Sequence, residues 1–116
     1  MTQFEFTQLE STANNMVLYV KSVKFLRSLV SSRKKLAKGL RNKYPNMKTS
    51  AIIFTLWRQE QDALKEVEVN FSTYQMYAAE AGLQAKREIS KIEDVYPLVS
   101  EPIETFDEIK DFLSNM

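Results

Sequence analysis

Residues 33 to 44, RKKLAKGLRNKY, place six cations in twelve positions with no carboxylate among them. From Ser11 to Gln59 the chain carries Lys21, Lys24, Arg27, Arg33, Lys34, Lys35, Lys38, Arg41, Lys43, Lys48 and Arg58, and no Asp or Glu. The rest of the chain holds all fifteen acids and only five cations, so a formal net charge of +1 conceals a basic part and an acidic part. The chemistry open to such a cluster is the capture of a polyanion, and nucleic acid is the commonest one, because neutralised phosphates release their counterions. The ten cations from Lys21 to Lys48 are the candidate nucleic-acid ligands.

Covalent chemistry has little to work with. The chain has no histidine and no cysteine, which removes the commonest general base, the thiol nucleophile and the usual zinc ligands together. A metal would need carboxylates alone, and Glu60, Asp62, Glu66 and Glu68 have neither calcium-loop nor Glu-x-x-His spacing; they are expected to form a solvated helical face. Gly39 and Gly82 stand alone, so no phosphate loop can be built from them. The expectation is a non-enzymatic protein with no cofactor and no metal.

Lys21, Lys24, Arg27, Lys34, Lys38 and Arg41 follow spacings of three and four, with Ser28 and Ser31 in the gap. On a helix they form one line of roughly 30 Å at 1.5 Å per residue. Like charges at this spacing repel, so a face made only for solubility would interleave acids. Two explanations compete: the acidic part of the chain neutralises the line, or a foreign polyanion does. Ser28, Ser31 and Ser32 can add hydroxyl contacts to phosphates, and Tyr19, Phe25 and Tyr44 can stack on unpaired bases. An anionic membrane surface fits less well, since the apolar side of the helix is needed for folding and an acidic tail would be repelled.

The elements that must carry these residues are long helices. Leu9, Ala13, Met16, Val20, Val23, Leu26, Val30, Ala37, Leu40 and Tyr44 recur at three and four, interrupted by Arg33. Thr7 with Glu10 fits a capping box, and Pro45 ends the run, which predicts one helix from Gln8 to Tyr44, roughly 55 Å long. After the turn YPNMKTS, with Thr49 or Ser50 as N-cap, a seven-residue repeat runs through Ile53, Trp57, Leu64, Val67, Phe71, Tyr74, Ala78, Ala81, Ala85, Ile92 and Val95, with Glu60 and Glu88 as polar exceptions. The stretch EVEVNFST also alternates like a strand; its helical flanks favour helix. Pro97 and Pro102 bracket an extended connector. Thr105 with Glu108 then suggests a second capping box before an amphipathic helix bearing Ile103, Phe106, Ile109, Phe112 and Leu113.

Two such helices joined by a short loop fold back as an antiparallel hairpin. The expected architecture is all-α: a long hairpin over residues 1–96 and an acidic C-terminal helix over 97–116 that packs on it or on a partner through Phe106, Ile109, Phe112 and Leu113. Leu18, Phe25, Leu29, Phe54, Trp57 and Tyr77 lie off the main stripes, which points to self-association. No apolar run approaches the roughly 20 residues of a membrane span, and the N-terminus lacks signal-peptide character. A cytoplasmic protein that does not enter membranes is expected.

The stretch TQLESTANNMVLYVK, residues 7 to 21, resembles phage recombination mediators of the T4 UvsY type. The likeness lies in Ala13, Asn14, Asn15, Met16, Val17, Leu18, Tyr19 and Lys21, followed by a basic helix, and again in QDALKEVEV with Asp62, Leu64 and Lys65. It implies an oligomeric single-stranded DNA-binding protein that loads a recombinase onto DNA coated by a single-strand binding protein in the infected bacterial cell. The leading expectation is thus an accessory protein that binds single-stranded nucleic acid. The alternative is a small helical interaction module, such as a phage-encoded inhibitor or assembly chaperone.

Overall fold

The computed structural model describes residues 2–85 and 106–116. The architecture is all-α. Helix α1 spans Gln3–Ser31, α2 Arg33–Lys43, α3 Thr49–Glu80 and α4 Asp107–Ser114, and no strand occurs among the described residues. The EVEVNFST stretch is continuous helix within α3, since Val67, Phe71 and Tyr74 are buried while Val69 is exposed, a spacing of four and three that one face of a helix accommodates and one face of a strand does not.

The hairpin begins earlier than its apolar pattern predicts. Thr2 is the N-cap: its Oγ1 accepts from the Glu5 amide at 3.1 Å, and the Glu5 carboxylate accepts from the Thr2 amide at 3.3 Å. This reciprocal box satisfies two otherwise orphaned donors. Thr7, the expected cap, is inside the helix and returns its hydroxyl to the Gln3 carbonyl.

The expected single helix from Gln8 to Tyr44 is broken at Ser32, whose φ of −102° and ψ of 12° leave the helical region. The cause is local. The Ser31 hydroxyl donates to the Ser28 carbonyl at 3.1 Å, and the Ser32 amide is shared between the Ser28 and Leu29 carbonyls. Serine hydroxyls that compete for backbone acceptors are a recognised source of helix breaks.

After the turn at Tyr44–Lys48, α3 is capped by Lys48 without a side-chain bond. Neither Thr49 nor Ser50, the two residues expected as the cap, takes that place: both lie inside α3, and Thr49 accepts from Arg41 Nη2 at 2.8 Å and so pins the base of the hairpin. Helix α3 ends well before Val95. The Leu83 amide donates to the Ala78 carbonyl at 2.7 Å and the Gly82 amide to that of Ala79 at 3.1 Å, with Gly82 at φ +72°. These are the two bonds of a Schellman motif, whose left-handed residue favours glycine. Nothing lies within 4 Å of a Cβ added at Gly82, so Gly82→Ala should lower stability by roughly 1 kcal/mol through backbone strain alone. Thermal unfolding followed by circular dichroism checks this. Glu88, Ile92, Val95, Ile103, Thr105 and the proline-bracketed connector lie outside the described residues.

Two cores result. Along the α1–α3 seam, Tyr19, Val23, Leu26, Ala63, Val67, Phe71, Tyr74 and Ala78 are buried together, with the Tyr19 ring 5.2 Å from that of Phe71. Near the hairpin turn, Ala37, Ile52, Ile53 and Leu56 form a second cluster with Phe106, Ile109 and Leu113. The C-terminal helix therefore closes the turn end of the hairpin within the same chain. Its N-cap is Phe106, with no side-chain capping bond, and Glu108, expected in a capping box, reaches Lys34 instead.

Candidate nucleic-acid interface

The ten candidate cations separate into three groups. Arg33 belongs to the interior: its Nε donates to Glu60 Oε2 at 2.8 Å and its Nη2 to Glu60 Oε1 at 2.5 Å. Its guanidinium also lies 4.0 Å from the centroid of the Phe106 ring. Glu60 is 1 % exposed, so the expectation of a solvated acidic face fails at this residue. The two polar interruptions of the apolar seams, one on each arm, meet as a bidentate pair between the two cores. A planar fork matched to a carboxylate, with an aromatic face on one side, is the arrangement that suits arginine and not lysine.

Lys34 and Arg41 form the second group. Lys34 Nζ stands 3.0 Å from Glu108 Oε1, both side chains being largely exposed. Such a pair contributes little and is screened by salt, so Lys34 remains open to exchange its carboxylate for a phosphate. Arg41 is half-buried and bound to Thr49.

The third group is Lys21, Lys24, Arg27, Lys35, Lys38, Lys43 and Lys48. All are exposed except the half-buried Arg27, and none has a salt bridge among the described residues. Lys24, Arg27, Lys35 and Lys38 run along the outer side of α1 and α2. Lys43 lies over the Tyr44 ring at 5.4 Å and, with Lys48, flanks the turn. Lys21 departs from this line and stands on the rim of a groove between α1 and α3.

The aromatic and hydroxyl candidates divide in the same way. Tyr19 is 1 % exposed and central to the long core, so it cannot stack on a base. Phe25 and Tyr44 are exposed; Tyr44 lies beside Lys43, and Phe25 lines the groove with Lys21. Ser31 and Ser28 lie on the outer side, exposed, with the Ser31 hydroxyl turned to the backbone. Phe106, Ile109 and Leu113 are buried against the hairpin and Phe112 is half-buried there, so α4 spends its apolar face within the chain and leaves Asp107, Glu108 and Asp111 exposed.

The Arg33–Glu60 pair is the feature that reading the sequence alone overlooks. Its signal was present: Arg33 lies eleven residues before Tyr44 and Glu60 eleven after Thr49, so folding the chain at that turn sets the two opposite each other.

These elements define an all-α helical hairpin, clasped near its turn by α4 and carrying cations along one outer edge. No protein-family model, curated protein or solved structure matches this chain. No described helix is long and apolar enough to cross a membrane.

Proposed function

We propose that this chain is a non-enzymatic accessory protein that binds single-stranded nucleic acid along the outer edge of α1 and α2. One observation carries the reading. In a chain with nearly equal numbers of cations and acids, Lys24, Arg27, Lys35 and Lys38 stay without a carboxylate partner among the described residues, although the fold brings acidic α3 and α4 against the same helices. From Lys24 to Lys38 this edge is about 21 Å long at 1.5 Å per residue. A long basic edge without a short recognition helix suits sequence-tolerant tracking of a backbone, which favours single strands over duplex.

The resemblance to T4 UvsY-type mediators supports a narrower form of the proposal, in which the bound strand receives a recombinase and a single-strand binding protein is a further partner. The exposed acids of α4 are then the surface offered to a protein. Exposed Leu18, Phe25 and Phe54 favour a second reading, a helical protein-interaction module. Titrating a fluorescent single-stranded oligonucleotide, with a duplex of the same sequence in parallel, separates the two. The proposal expects saturable binding that is tighter for the single strand, and the second reading expects none.

A further inference from the structure

The row of cations on α1 and α2 meets an acid that comes from another helix. On α1, Lys24, Arg27 and Ser31 follow spacings of three and four, and on α2 Lys34, Lys38 and Arg41 follow four and three, so each set shares one face of its helix. Ser31 and Lys34, where the two sets meet, line a hollow of about 360 Å³ whose lining is completed by Val30, Arg33 and, from α4, Glu108 and Ile109. There the Glu108 carboxylate stands 3.0 Å from Lys34 Nζ, with 79 % of its side chain exposed. Arg27 lies four residues before Ser31 and Lys38 four after Lys34, each about 6 Å along its helix at 1.5 Å per residue. A carboxylate is thus set at the middle of a row whose own sequence has none.

Apolar packing, and not the ion pair, fixes that position. Phe106, Ile109 and Leu113 are buried against Ala37, Ile52, Ile53 and Leu56, and Glu108 adjoins Ile109 on the same short helix. Docking α4 therefore brings the carboxylate to Lys34. We infer that α4 restrains the basic edge from within the chain, Glu108 competing with a bound strand for Lys34.

This inference rests on the nucleic-acid reading proposed above. A phosphate backbone that follows the row from Lys24 to Arg41 passes the Glu108 carboxylate, and like charges there oppose binding. Lys34 gains a phosphate only by giving up its acid. While it keeps the acid it neutralises no phosphate and adds nothing to the salt dependence of binding; freed, it adds about 0.7 to the log-log slope. The restraint is modest, since an exposed pair changes an equilibrium by at most about fivefold. It tunes affinity without closing the edge.

Fluorescence anisotropy of a labelled single-stranded oligonucleotide, titrated with the full chain over a salt series, tests it. Glu108→Gln should bind roughly two- to fivefold tighter than the wild type at about 0.1 M salt, with a slope steeper by up to about 0.7 and unchanged helical circular dichroism. Lys34→Gln should cost more affinity in the Glu108→Gln background than in the wild type, because only there is the ammonium free of its acid. Asp107→Asn removes an equal charge one residue away, from a carboxylate with no salt bridge among the described residues, and should gain less. Wild-type affinity and slope in Glu108→Gln would overturn the inference and leave the nucleic-acid reading standing. So would an equal gain from Asp107→Asn, or a Lys34→Gln loss that is the same in both backgrounds. Absence of binding by both the wild type and Glu108→Gln would overturn the two together.

Discussion

Replacing Arg33 with alanine is expected to lower the midpoint of thermal unfolding by roughly 10–20 °C. The substitution leaves the Glu60 carboxylate, 1 % exposed, without the fork that binds both of its oxygens. Removing one partner of a buried ion pair costs about 3–5 kcal/mol, because the remaining charge is stranded. A domain of this size loses very roughly 3–5 °C per kcal/mol. The loss is a large share of the 5–15 kcal/mol that separates folded from unfolded states. The same change removes the guanidinium from the face of Phe106, so α4 should loosen first, seen as faster amide exchange at Ile109 and Leu113. Replacing both partners by apolar residues of similar size, Arg33→Met with Glu60→Leu, should recover most of the midpoint, since no charge is then left buried. If Arg33→Ala unfolds like the wild type, the pair is not the link between the two cores.

The second large effect concerns binding. Lys24→Glu, Lys35→Glu and Lys38→Glu together should weaken single-stranded DNA binding by roughly 100-fold or more at about 0.1 M salt, because each lost phosphate contact removes about 0.7 from the log-log salt slope. Helix content should not change, for all three side chains are exposed and without salt bridges among the described residues. Arg41→Ala, by contrast, should act mainly on stability, since that guanidinium holds Thr49 at the turn. Fluorescence anisotropy on the same oligonucleotide distinguishes these outcomes.

The hairpin was legible because its signals are local and repeated. Pro45 punctuates the chain once, and on either side Val23 and Leu26, then Ile53, Val67, Phe71 and Tyr74, keep spacings that only a helix can place on one face. The helix limits were not legible from apolar spacing. The capping box at Thr2 precedes the first periodic residue, the break at Ser32 depends on which acceptor a serine hydroxyl takes, and the stop at Gly82 competes with a heptad pattern that continues beyond it in the sequence. The basic surface was legible as a list of residues and not as a geometry. Counting cations cannot tell Arg33, turned inward to Glu60, from Lys35, turned outward, because burial is settled by the partner across the hairpin. The acidic C-terminal helix showed its apolar face in the sequence, but whether Phe106 and Ile109 would cover this chain or another depended on Ala37, Ile52 and Leu56 presenting a matching hollow.

The most direct measurement is the affinity of the wild-type chain for a single-stranded oligonucleotide as a function of salt. If Lys24, Arg27, Lys35 and Lys38 each neutralise a phosphate, log affinity should fall against log salt with a slope near −3, about −0.7 for each contact. A slope near zero, or no measurable binding at low salt, would contradict the account.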